Sequence, residues 1–201
     1  MRFAIILIAF IIAGCASPGP RWQVTESQDR FTDKVTTMVT IGDFSTSSGL
    51  YTSPLRYYPF VGLYEGEMYV GLRSGGRVRV PTGTVQLRID DLEAWTITPA
   101  ETPLFLMPQT ATGQASNGGD AQSAELATAA MAMATRMGSP FTAATGDKAR
   151  RILAQMLNGH RLIYRVVGLN QAASTTGEVV LDDSLATAVR QIGIDVDALK
   201  K

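Results

Sequence analysis

The stretch TVQLRID, residues 84–90, decides the fold class. Val85, Leu87 and Ile89 alternate with Gln86 and Arg88, the two-residue period of a strand with one face on a core and one in water. Asp91-Leu92-Glu93 turns the chain, and AWTIT (94–98) reads as a strand that pairs back. Upstream, MYVGLR (68–73), Ser74-Gly75-Gly76 and RVRV (77–80) read as a hairpin, and Pro81-Thr82-Gly83 as the next turn. These segments together predict an antiparallel meander. KVTTMVTI (34–41) is rich in β-branched residues and predicts a further strand.

Downstream of residue 108 the pattern changes. QTATGQASNGGD (109–120) is polar and of low complexity, which predicts a loop. Ala121 to Met137 is composed of strong helix formers behind Asp120, a good N-cap, and ends at Gly138 and Pro140. Leu126, Ala130, Met133 and Met137 fall on one stripe of that helix. The stripe either packs on the sheet or forms a Met-rich partner surface, methionine being adaptable to irregular apolar partners. Asp147 to Leu157 predicts a short amphipathic helix stopped by Asn158-Gly159. RLIYRVV (161–167) and STTGEVVL (174–181) predict a hairpin, and Ser184 to Ile192 a final helix capped by Asp182 or Asp183. The expected fold is mainly β with small helices (α+β): an antiparallel β-sandwich or curled sheet, an Ala/Met-rich helix and a C-terminal helix.

Ahead of this domain stands an apolar run, Phe3 to Ile12, with Arg2 before it and Ala13-Gly14-Cys15 after it. The run has signal-peptide length and is too short to span a bilayer. Ile12-Ala13-Gly14-Cys15 resembles a bacterial lipobox. The resemblance implies removal of residues 1–14, acylation of the Cys15 thiol, and, with Ala16 next, an outer-membrane destination on the periplasmic side. An ordinary signal peptide cut after Ala16, or an uncleaved short anchor, is the competing reading. Residues 15–32, with Pro18, Gly19 and Pro20, then read as a lipidated tether, and 33–201 as a single β-rich domain with an insertion at about 108–145. Trp22 is either an interfacial anchor or the first core residue.

From Thr84 on, TVQLRIDD, AWTI, RRILAQMLNGHRLIYRVV and GEVVLDDSLATAVRQIG follow one another in an order similar to small bacterial envelope domains. They include the invasion-associated locus B proteins and the accessory lipoproteins of type VI secretion. The resemblance implies a β-sandwich or curled sheet and an accessory, non-enzymatic role. This chain lacks the paired cysteines of some of those proteins and carries the long insertion.

Composition removes several function classes. Eighteen basic and eighteen acidic side chains balance, so no global field selects nucleic acid or an anionic surface. Cys15 is the only cysteine and His160 the only histidine. A zinc site or a Ser-His-Asp triad has too few ligands or partners here, and no cofactor is implied. Asp90-Asp91 and Asp182-Asp183 read as turn and helix-cap residues. A carboxylate-based cell-wall or glycan hydrolase is the alternative function, and it requires two of Asp90, Asp91, Glu93, Asp182 and Asp183 to face one cleft. Arg73, Arg77, Arg79 and Arg88 are candidates for a cationic strip that meets an acidic partner. The competing reading is a solvated face balanced by Glu65, Glu67 and Glu93. Tyr51, Tyr57, Tyr58, Phe60, Tyr64 and Tyr69 supply either a binding surface or the core. The expected partners are the membrane, through Cys15, and another envelope protein, met through the arginine strip or through Met133 and Met137. A subunit that oligomerises through the Met/Ala helix is a third possibility.

Overall fold

The computed structural model describes residues 21–28, 35–41, 56–75, 80–107, 121–168 and 174–200. In chain order these form β1 (Trp22–Gln28), β2 (Val35–Ile41), β3 (Arg56–Tyr64), β4 (Glu67–Gly75), β5 (Val85–Ile89) and β6 (Trp95–Ile97). Two 3-10 turns follow, at Pro99–Glu101 and Leu104–Leu106. Then come α1 (Ala121–Met137), β7 (Phe141–Thr145), α2 (Gly146–Asn158), β8 (Arg161–Val166), β9 (Thr175–Val180), α3 (Asp183–Gln191) and α4 (Val196–Leu199). The strands make two antiparallel sheets, β1-β2-β3-β4-β7 and β6-β5-β8-β9. The mainly β, two-sheet α+β class read from the sequence is the observed one.

Hydrophobic alternation explains where the core sits. Val39, Val61, Val70, Leu72 and Ala144 of the larger sheet and Val85, Leu87, Ile89, Ile97 and Leu162 of the smaller one share a single buried cluster. Ile152, Leu153 and Met156 of α2 and Leu185 and Val189 of α3 complete it. Burying each such side chain is worth about 1.5–3 kcal/mol against leaving it in water. The other face of the larger sheet is buried too. Met38, Phe60, Tyr69 and Ala143 pack there under Leu106, with Phe105 stacked on Tyr64 at a ring separation of 4.2 Å. The larger sheet is therefore a middle layer. Polar bonds tie the layers together: the Tyr164 hydroxyl of β8 donates to the Tyr57 carbonyl of β3 at 2.8 Å, and Trp95 Nε1–H of β6 donates to Gln155 Oε1 of α2 at 2.7 Å.

Four expectations require correction. First, the meander is interrupted. β4 pairs with β3 along its length and with β7 over Tyr69–Arg73, so neither edge is left for a ladder with residues 77–80 over that span. The Ser74 hydroxyl instead donates to the Val80 carbonyl at 2.7 Å, and the chain passes to the other sheet, where β5 pairs with β6 and β8. Second, the residues assigned to a tether include β1, which pairs with β2 from Trp22↔Ile41 to Gln28↔Val35. Third, the stretch with Tyr57, Tyr58, Phe60 and Tyr64, for which no strand is predicted, is the full strand β3. Fourth, the insertion ends before Phe141, because 141–145 is the edge strand β7. The Arg161–Leu181 hairpin and the three longer helices form where expected, and Asp182 caps α3 by accepting from Ser184 N at 3.0 Å. Asp120, residues 109–119 and residues 42–54, Tyr51 among them, lie outside the described residues.

Candidate functional site

The arginine strip does not form from the two members that are described. Arg73 sits on β4 beside Tyr58 and Phe141 and is only 8% exposed. Its Nη1 lies 3.9 Å from Met38 Sδ, and its guanidinium carbon 6.0 Å from the Phe141 ring centroid. A guanidinium tolerates such a place because it stacks on aromatics and is weakly hydrated for a cation. Arg88 is on the other sheet and exposed. It donates from Nε to the Leu92 carbonyl at 3.2 Å and stands 3.6 Å from Asp91. Arg73 is thus a layer-packing residue and not part of a surface shared with Arg88. Arg77, Arg79 and Cys15 lie outside the described residues.

Met133 and Met137 are on the surface, 43% and 53% exposed, with Leu126 at 66% and Met131 at 65%. The C-terminal end of the helix is joined to the body by hydrogen bonds. Arg136 Nε donates to the Thr102 carbonyl at 3.1 Å, Ser139 N to the Arg136 carbonyl and Thr82 N to the Ser139 carbonyl. Ala132, Thr135 and Arg136 form the half-buried side. Advancing 100° per residue, Leu126, Ala127, Ala130, Met131, Met133, Ala134 and Met137 fill an arc of about 160° on the opposite side. All seven are exposed. The stripe seen in the sequence does not pack on the sheet.

Asp90, Asp182 and Asp195 accept hydrogen bonds from backbone amides. Asp90 has φ of +48° and ends β5; its side chain accepts from His160 N at 3.1 Å and Arg161 N at 2.9 Å. The His160 ring is 93% exposed and its Nδ1 is 3.7 Å from Asp90 Oδ2. Asp182 is the α3 cap, and Asp195 accepts from Asp197 N and Ala198 N at the start of α4. A groove of about 590 Å³ is lined by Asp90, Asp91, Gln155 and Lys200. A smaller one of about 210 Å³ is lined by His160, Asp182 and Asp183. Asn158 and Gly159 line both grooves. No group of three or more His, Cys, Asp or Glu among the described residues could hold a metal ion.

A further groove lies elsewhere. It has a volume of about 610 Å³ between the β3–β4 turn and α4 and is lined by Glu65, Glu67, Asp195, Arg150, Met68 and Leu199. Sequence reading placed Glu65 and Glu67 only as neighbours of arginines. Their turn carries positive φ at Glu65 (+50°) and Gly66 (+83°), and the sequence signal for it is Glu-Gly-Glu between two apolar runs. Burial raises the Glu101 carboxyl, but Lys148, with Nζ 2.5 Å away, and hydrogen bonds from Thr98 outweigh it and hold the group below its usual value. That pair staples the first 3-10 turn to α2. Tyr69, buried between layers, has its hydroxyl pushed up to about 12 by desolvation.

Comparison with protein-family models, with curated proteins and with solved structures finds no match to this chain. No helix among the described residues is long and apolar enough to cross a membrane.

Proposed function

We propose that this chain is a bacterial lipoprotein, held by acyl chains on Cys15 at the periplasmic face of the outer membrane. Its α+β domain works by contact with another envelope protein and not by catalysis. The observation that carries the proposal is the order of the N-terminal elements: a lipobox-like Ile12-Ala13-Gly14-Cys15, then residues 16–21, then a strand. Stable anchoring through several acyl chains needs no further transmembrane element. The non-catalytic part is supported by the engagement of Asp90, Asp182 and Asp195 with backbone amides, which leaves them in structural roles. The surface offered to a protein partner is the groove with Glu65, Glu67, Asp195 and Arg150, whose lining combines charges of both signs with apolar side chains. The resemblance beginning at Thr84 makes a secretion-accessory role the specific form of this proposal.

The test is photo-crosslinking in intact cells from a probe at Glu65 or Glu67. A discrete adduct with one envelope protein is expected. Absence of any adduct, together with hydrolysis of cell-wall or glycan polymer by the purified protein, sinks the proposal.

A further inference from the structure

The described part of α1 presents seven exposed apolar side chains in one arc, and its two charges, Glu125 and Arg136, both fall on the opposite side of the helix. Such a face on an otherwise well-packed domain marks a contact surface. What covers it follows from where the helix joins the body. Gln23, Thr40, Phe60, Gly71 and Ala143 form one row across all five strands of the larger sheet. Every neighbouring pair is antiparallel, so β1 and β7 run in the same direction and begin at the same end of the sheet. Residue 21 therefore enters the fold at the end where α1, through Gly138–Pro140, delivers the chain to β7. The two entry points lie on opposite edges, four strand spacings or about 19 Å apart. Residues 16–21 reach at most about 20 Å when extended.

We infer that α1 lies along the bilayer surface, with Leu126, Ala130, Met133 and Met137 toward the acyl chains, as a second membrane contact beside the lipidated N-terminus. The inference rests on acylation of Cys15. An anchor there keeps the β1 edge of this end of the sheet within about 20 Å of the membrane, and the junction of α1 with β7 stands at the same end, about 19 Å across the sheet. Its exposed arc holds no charged side chain, and Glu125 and Arg136 both lie on the far side of the helix. Once the chain is tethered, a face too weak to bind lipid alone binds at high effective concentration. The β3–β4 turn, with Glu65 and Glu67, sits at the other end of the larger sheet, so the domain is oriented with the groove at that turn away from the lipid.

With Cys15 acylated, an introduced cysteine is the only free thiol in the protein. A nitrobenzoxadiazole label is placed in turn at Leu126→Cys, Met133→Cys and Met137→Cys, and on the opposite side of the same helix at Glu125→Cys. The full acylated protein is reconstituted in phosphatidylethanolamine/phosphatidylglycerol vesicles containing doxyl-labelled lipid. Quenching at 126, 133 and 137 is expected to exceed that at 125 by about three-fold or more. Equal quenching at all four positions overturns the inference. Lipid-independent shielding that rises with protein concentration also overturns it, in favour of a second copy on the same face. The mass of the N-terminal peptide, read on the same samples, reports the anchor separately. An unacylated N-terminus defeats the anchor proposal whatever the labels show, and an acylated one with unquenched labels defeats only the α1 inference.

Discussion

Gly71→Ala is expected to destabilise the domain by about 3 kcal/mol, at the upper end of what overpacking usually costs. A Cβ at this position would stand 2.0 Å from the Thr142 carbonyl oxygen and 2.7 Å from the Ala143 Cα. Both are backbone atoms of β7, the strand that pairs Gly71 with Ala143, so no side-chain rotation relieves the clash. The edge strand must move away. It would take with it the Thr142 hydroxyl that donates to the Gly83 carbonyl at 2.6 Å, and the entry to α2. Gly62→Ala provides the contrast: its Cβ meets the ring of Tyr69 at 2.1 Å, a side chain whose shift would leave the ladder intact. Urea unfolding measures the stability, and hydrogen exchange at residues 142–145 locates the damage. A Gly71→Ala protein within about 0.5 kcal/mol of wild type would contradict the β4–β7 pairing.

Trp22→Ala is expected to cost about 3–5 kcal/mol, the usual range for truncating a buried large aromatic. Trp22 is 4% exposed. Its Nε1–H donates to the Val180 carbonyl at 3.0 Å, and its backbone N–H to the Ser184 hydroxyl at 3.0 Å. One residue thus fastens the edge of the larger sheet to β9 and α3 of the opposite layer. Trp22→Phe keeps most of the apolar contact and loses the indole bond, for about 1 kcal/mol. Circular dichroism through a denaturant series separates the three proteins. If residues 22–28 were only a tether, all three would unfold together.

These two residues also show where sequence pattern stops. β5 was legible because one of its faces is wet: Gln86 and Arg88 alternate with Val85, Leu87 and Ile89, whose side chains are fully buried. β3 is covered on both faces, so its apolar and aromatic residues run together and the two-residue period is lost. β4, covered in the same way, was legible as a strand in MYVGLR, but its partners β3 and β7 were not. β1 is an edge strand of mostly polar residues around Trp22 and Val24, which resembles a linker until its partner is known. Short β7, FTAAT, has too little pattern to stand out from the helix before it.

The candidate sites divide in the same way. Arg73 shares a face of β4 with Tyr69, a spacing visible in MYVGLR, but which face is buried is decided by the Phe105–Leu106 segment far along the chain. For Met133 and Met137, sequence left packing and partner contact open, since apolar spacing is the same for both. Their exposure decides against packing on the sheet. The acidic groove joins the β3–β4 turn to α4, more than a hundred residues away, and no local signal announces such a pairing.

Cys15 bears most directly on the account, because both the proposed location and the orientation of α1 depend on it. The decisive measurement is the mass of the N-terminal peptide of the protein isolated from its native envelope. A peptide that begins at Cys15 and carries acyl chains on that residue is the predicted result. A peptide that begins at Met1 or Ser17, or at Cys15 with an unmodified thiol, would contradict it.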